Sequence, residues 1–140
     1  MQKIRKILVA LDGSAQSVKS LQEAIYLARQ CGATITGLCV LPLYTISLGK
    51  FTTSLRNQSI KEAKKFMAKA KVLAAQNGVV FTERIVISDH TSKISEYASD
   101  KKFDLIVMGS RGMNPVKELF LGSVANYTVH KSKIPVLVVK

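Results

Sequence analysis

Apolar residues alternate between two textures along this chain. Short, largely apolar stretches of strand length, rich in Ile, Val and Leu, stand at 4–11, 33–41, 79–87, 104–108 and 136–139. Between them apolar residues recur in steps of three and four. Val18, Leu21, Ile25 and Ala28 form one such series, Ile60, Ala63, Met67, Ala70 and Ala74 a second, and Ile94, Tyr97 and Ala98 a short third. Continuous runs read as strands buried on both faces, and the stepped series read as one-sided helices. The punctuation agrees. Asp12-Gly13-Ser14 follows the first run, Gly32 ends the first helix, Pro42 stops the second run and Asn77-Gly78 closes the second helix. A last helix is predicted over 123–132, with Pro135 before the final run. Residues 43–53 show neither period and read as irregular.

The predicted order is β-α-β-α-β-α-β-α-β. Buried strands alternating with helices imply a parallel sheet covered on both faces. Right-handed crossovers leave few topologies. The expected fold class is α/β, a single domain over 1–140 with a five-stranded parallel sheet of Rossmann-like or flavodoxin-like type. Strands 1 and 4 then lie side by side in the middle, and the ligand crevice opens beyond their C-terminal ends.

Composition narrows the class. With 47% apolar and 21% charged residues over 140 positions, the chain reads as globular, and no apolar run approaches the length of a membrane span. The first residues lack the pattern of a signal peptide, so a cytoplasmic location is expected. Cys31 and Cys39 read as two buried thiols in a reducing compartment. Only His90 and His130 could join them around a metal, so no zinc site is expected. The net charge of +12 favours anionic company, whether nucleotide, nucleic acid or an acidic partner. Its one concentration is Lys61, Lys64, Lys65, Lys69 and Lys71. The plain alternative there is a solvated helix face. With only Phe66 interleaved, the stretch does not read as a stacking platform for single strands.

The candidate chemistry lies between the fourth run and the last helix. Gly109-Ser-Arg-Gly112 is followed by nine residues and then by Gly122-Ser123. Strand, glycine-rich loop and helix start, in that order, are the parts of a phosphate cradle. Glycine lets the backbone approach an anion closely, and the free N–H groups of a first helical turn point at it. The plain alternative is a turn followed by a helix that Ser123 caps. The Asp12 turn, at the end of strand 1, is predicted to face this loop across the crevice. Arg111 could pair with a phosphate, and Lys117 is a further basic candidate. Asp12 reads either as a nucleoside contact or indirect metal ligand, or as a turn-capping residue. Machinery for fast phosphoryl transfer is not readable. No Gly-x4-Gly-Lys-Ser/Thr stretch is present, Asp104 opens strand 4 at the wrong end of the sheet, and neither histidine belongs to a nucleophile arrangement. No catalytic residue is assigned.

Taken together, these residues resemble the universal stress protein family in its nucleotide-binding branch. The family signature Gly-x2-Gly-x9-Gly-Ser/Thr stands here as Gly109, Gly112, Gly122 and Ser123 with unchanged spacing. The opening strand with its Asp12-Gly13-Ser14 turn, and Ile134-Pro-Val-Leu-Val-Val139, are similar as well. The resemblance implies strand order 3-2-1-4-5 and an ATP-binding regulatory or stress-response protein. ADP or AMP are the related ligands, and Mg²⁺ or Mn²⁺ would accompany the nucleotide. It also implies a homodimer paired through Val136, Leu137, Val138 and Val139. Residue by residue, it sets Asp12 and the Ala10 and Leu11 backbone near the adenosine, and Val40 against adenine. Met108, Gly109 and Gly112 would line ribose and phosphates, and Gly122, Ser123 and Val124 would bind phosphates. Two positions depart from the family pattern. Cys39 stands where a His is frequent, and Ser88-Asp-His90 replaces Gly-x-Pro after strand 3.

Overall fold

The computed structural model describes residues 3–43, 49–111 and 121–140, with backbone alone for 49–53. The elements are β1 (Lys6–Ala10), α1 (Ala15–Cys31), β2 (Thr34–Leu41), α2 (Gly49–Gln76), β3 (Phe81–Ile87), α3 (Lys93–Asp100), β4 (Leu105–Gly109), α4 (Ser123–Lys131) and β5 (Val136–Val139). The five strands form one sheet in the order β3-β2-β1-β4-β5, and every neighbouring pair is parallel. The α/β class and the strand order expected from the sequence are those observed.

Alternation along the central strands divides the core. Ile7 and Val9 of β1, with Leu105 and Val107 of β4, join Leu21, Ile25 and Ala28 of α1 and Ala63, Met67, Ala70 and Ala74 of α2. Leu8, Ile106 and Met108 point the other way and meet Ile94 and Ala98 of α3 and Ala125 of α4. Ile7, Leu8 and Ile106 are fully buried. Burial of that kind contributes roughly 1.5–3 kcal/mol per side chain, so both layers hold the two middle strands in place.

Local signals set the helix ends. Ser14 caps α1, its side chain accepting from the Ser17 N–H at 3.1 Å. Gly32 ends the helix in the left-handed region, φ 67°, where its N–H bonds the Ala28 carbonyl.

Two expectations and one alternative reading are corrected. Residues 49–53, read as irregular, belong to α2, which starts at Gly49. The helix leg that continues from there is solvent-covered, with Leu55, Arg56, Asn57 and Gln58 all exposed, so it carries no apolar stripe to read. Residues 44–48 of that stretch lie outside the described residues. Cys31, expected to be buried, is exposed, whereas Cys39 is buried. The buried stripe of α1 ends at Ala28, before the last turn that carries Cys31. Finally, Gly122 and not Ser123 occupies the N-cap of α4, with no side-chain cap bond; Ser123 is the first helical residue.

Candidate functional site

β1 and β4 are neighbours, and a cleft of about 430 Å³ opens where they end. One half of it is apolar. Leu38 and Val40 of β2, Ala10 of β1, Met108 of β4, Ile94 of α3 and Ala125 of α4 line it. All six belong to, or pack against, the core layer beneath α3 and α4. The cleft is therefore a gap where that layer runs out beyond the strand ends. A pocket of this size, with apolar walls and a few convergent polar groups, suits a small organic ligand.

The other half is polar. Gly109, Ser110 and Arg111 leave β4 and border the cleft, and Gly122, Ser123 and Val124 return to it at the start of α4. The two limbs are joined directly: the Gly122 N–H donates to the Ser110 carbonyl at 2.8 Å. Within α4 the Asn126 N–H donates back to the Gly122 carbonyl at 2.8 Å. Helix geometry leaves the N–H groups of Ser123, Val124 and Ala125 without partners inside the helix, and all three residues line the cleft. The field at a helix start favours negative charge there.

Asp12, Leu11 and Ser17 complete the rim from the β1–α1 side. The Asp12 carboxylate closes its own turn, Oδ1 accepting from the Ser14 N–H at 2.9 Å. The turn-capping role is thus realised, at a position that also borders the cleft. Asp12 lies near Cys39 on the adjoining strand. Burial, and then the Asp12 charge, push the Cys39 thiol up to about 11. Asp12 and Arg111 are the charged side chains lining the cleft among the described residues.

Of the residues singled out in the sequence, Ala10, Leu11, Asp12, Val40, Met108, Gly109, Arg111, Gly122, Ser123 and Val124 border this one cleft. Gly112 and Lys117 lie outside the described residues. Sequence reasoning missed Ser17, Leu38, Ile94, Ser110 and Ala125. Leu38 was within reach, because alternation along β2 puts it on the face of Val40. The Ser88-Asp-His90 loop is tied beside the end of β2. The Ser88 N–H donates to the Leu41 carbonyl at 2.8 Å, and Asp89 Oδ1 accepts from the Leu43 N–H at 2.7 Å. His90 is exposed and not among the cleft residues. Among the described residues, no three His, Cys, Asp or Glu side chains gather in a way that could hold a metal.

Comparison with known proteins agrees with this architecture. The profile of the universal stress protein family matches residues 3–140. Universal stress protein YxiE of Bacillus subtilis is 33% identical over 151 residues, spanning 96% of this chain and 98% of the relative. The solved structure of universal stress protein UspA from Lactobacillus plantarum superposes with a TM-score of 0.91 at 25% identity, covering 100% of both chains. A universal stress protein from Archaeoglobus fulgidus, solved in complex with dAMP, shares the fold at a TM-score of 0.76 and 23% identity, over 99% of this chain and 100% of that one. In sequence, topology and motif, the chain belongs to the universal stress protein family.

Proposed function

We propose that this chain is a regulatory stress-response protein that binds an adenine nucleotide, ATP foremost, in the cleft at the ends of β1 and β4. The observation that carries the reading is the meeting of the Asp12 turn and both limbs of the glycine motif around one cavity. Its apolar half suits a flat base between Val40, Leu38 and Met108. Its polar half offers Arg111, the Ser110 and Ser123 hydroxyls and the first N–H groups of α4 to phosphates. The same fold holds dAMP in the Archaeoglobus fulgidus protein. ADP and AMP present the same base and fewer phosphates, and fall within this reading.

The donor set also fits a metal that arrives with its nucleotide. Asp12 is the one carboxylate lining the cleft among the described residues, so Mg²⁺ or Mn²⁺ would be held chiefly by phosphate oxygens. A bound divalent ion would offset phosphate charge. Among the described residues lining the cleft, Asp12 is the one candidate general base, and its Oδ1 is engaged by Ser14. Hydrolysis is therefore proposed to be slow or absent, and the output to be a nucleotide-dependent state. The working form is proposed to be a cytoplasmic homodimer joined through β5. Among the described residues, no helix is long and apolar enough to cross a membrane.

Mass spectrometry of small molecules released from the purified protein, with calorimetric titration of ATP, ADP and AMP with and without Mg²⁺, tests the reading. Co-purifying adenine nucleotide, or saturable one-to-one binding, is expected. An empty protein that binds none of the three would overturn it.

One observation favours a second reading. Lys61, Lys64, Lys65, Lys69 and Lys71 are all exposed along α2, with Glu62 the only acid among them. In this reading the helix binds a nucleic acid backbone or an acidic partner. Affinity would then fall steeply with salt and survive Gly122→Val.

A further inference from the structure

Gln16 lies on the second residue of α1 and was not part of any motif in the sequence. Its side chain reaches from the helix to the ends of β4 and β5. Nε2 donates to Ser110 Oγ at 3.2 Å and to the Val139 carbonyl at 3.1 Å, contacts that span 94 and 123 residues of sequence. Because a carbonyl only accepts, the amide nitrogen and not its oxygen must face Val139. The aliphatic stem lies over Gly109. A Cβ on that glycine would fall 2.8 Å from Gln16 Cγ, so the absence of a side chain there is what lets the amide pass.

Ser110 is the hub of the arrangement. Its N–H donates to the Val139 carbonyl at 2.9 Å, its carbonyl accepts the Gly122 N–H at 2.8 Å, and its hydroxyl accepts from Gln16. Four segments thus meet at one residue: α1, the end of β4, the start of α4 and the end of the edge strand β5. The sheet does not need the amide for satisfaction, since the Val139 carbonyl keeps its bond from Ser110 without it. What the amide does fix is the hydroxyl. A Ser oxygen that accepts from an amide turns its own proton elsewhere, and Ser110 lines the cleft.

We infer that Gln16 is a positioning residue for the phosphate half of the cleft. Its amide aims the Ser110 hydroxyl as a donor toward a bound phosphate and ties the loop that carries it to the end of β5. The inference rests on the nucleotide reading for its ligand, while its geometry stands in the chain alone.

Gln16→Met keeps the length and the stem and removes both donations; Ser110→Ala removes the hydroxyl. Calorimetry of ATP, ADP and adenosine on the wild type, both single variants and the double variant tests the role, together with hydrogen exchange at the Ser110 and Gly122 amides. Each single variant is expected to bind ATP and ADP about five- to tenfold more weakly, the scale of one hydrogen bond. The double variant is expected to be no worse than either single one, and adenosine binding to be unchanged. Faster exchange at both amides is expected in Gln16→Met. Equal loss for adenosine would mean a merely structural effect and overturn the role, as would wild-type ATP affinity in Gln16→Met or additive losses in the double variant. If the wild type binds no adenine nucleotide, the nucleotide reading fails on its own. Exchange then decides, and unchanged rates at Ser110 and Gly122 in Gln16→Met overturn the positioning role. Gln16→Glu, which keeps the length but cannot donate as a carboxylate, repeats the test if Gln16→Met folds poorly.

Discussion

The ring of Phe81 lies on the backbone of Gly37, in the middle of β2. A Cβ added at Gly37 would fall 2.9 Å from Phe81 Cε2 and 3.0 Å from Leu11 Cδ1. Gly37 pairs with Val9 of β1 and with Glu83 of β3, so its backbone is held from both sides. Phe81 and Leu11 are both buried in the layer beneath α1 and α2. Glycine therefore serves here as room for an aromatic ring, inside a strand where it otherwise costs stability.

Gly37→Ala is accordingly expected to destabilise the fold by about 1–3 kcal/mol through overpacking. Urea denaturation reads the loss as a lower midpoint at unchanged slope. Combining it with Phe81→Leu should recover part of the loss, because the ring is what the new methyl meets. A midpoint equal to or above that of the wild type would contradict this packing.

The buried thiol of Cys39 makes stability depend on pH in the alkaline range. Its pKa is raised from 9.0 to about 11, first by burial and then by Asp12. Between those values the unfolded chain sheds the thiol proton while the native state keeps it. The contribution is fully present below about pH 9 and is lost as pH rises toward about 11. At ~1.4 kcal/mol per pKa unit, the loss is on the order of 2–3 kcal/mol. The comparison that isolates the thiol is with Cys39→Ala. The stability difference between wild type and Cys39→Ala should change across this window by that amount and stay flat below pH 8. A difference that is constant from pH 7 to 11 would remove the thiol from the account.

Gly122 separates binding from folding. Its φ is −60°, open to any residue, and a Cβ would meet the Ser110 carbonyl at an ordinary 3.5 Å. Gly122→Val should therefore fold, losing about 1 kcal/mol for an unfavourable N-cap residue. Its side chain would crowd the approach to the first N–H groups of α4. Nucleotide affinity is expected to fall more than tenfold while the thermal transition shifts by only a few degrees. Undiminished calorimetric affinity would move phosphate binding away from this helix start.

The sequence carried most of this architecture because buried parallel strands leave largely apolar stretches, and half-buried helices leave steps of three and four. The run at 136–139 coincides with β5, and the series from Ala63 to Ala74 coincides with the buried face of α2. What it did not carry has no one-dimensional trace. Residues 54–58 of α2 are exposed and add no buried stripe, so the helix was invisible upstream of Ile60. At the cleft, the glycine spacing marked Gly109 and Gly122, which border it. Ile94, Ser110 and Ala125 line it because three elements converge in space, and Gln16 reaches Ser110 and Val139 only through the crossover of the fold.

β5 is an edge strand, paired on one side only, by β4. Its four residues, Val136, Leu137, Val138 and Val139, are apolar and half-buried in the single chain. An apolar edge invites another strand, and a two-fold partner offers the same edge in return. The pairing with β4 shows which backbone groups are left for it. The Pro135 carbonyl accepts from the Ile106 N–H and the Val139 carbonyl from the Ser110 N–H, each at 2.9 Å. In a parallel strand, residues of one parity face one neighbour, so 135, 137 and 139 face β4 while 136 and 138 face outward. Val138→Pro then removes an outward N–H and leaves every bond to β4 intact, in the extended conformation that Leu137 before it already has. The wild type is expected to sediment as a dimer at micromolar concentration. Val138→Pro is expected to sediment as a monomer with an unchanged circular dichroism spectrum. A monomeric wild type, or a Val138→Pro variant that stays dimeric, would mean that this edge is not the one that pairs.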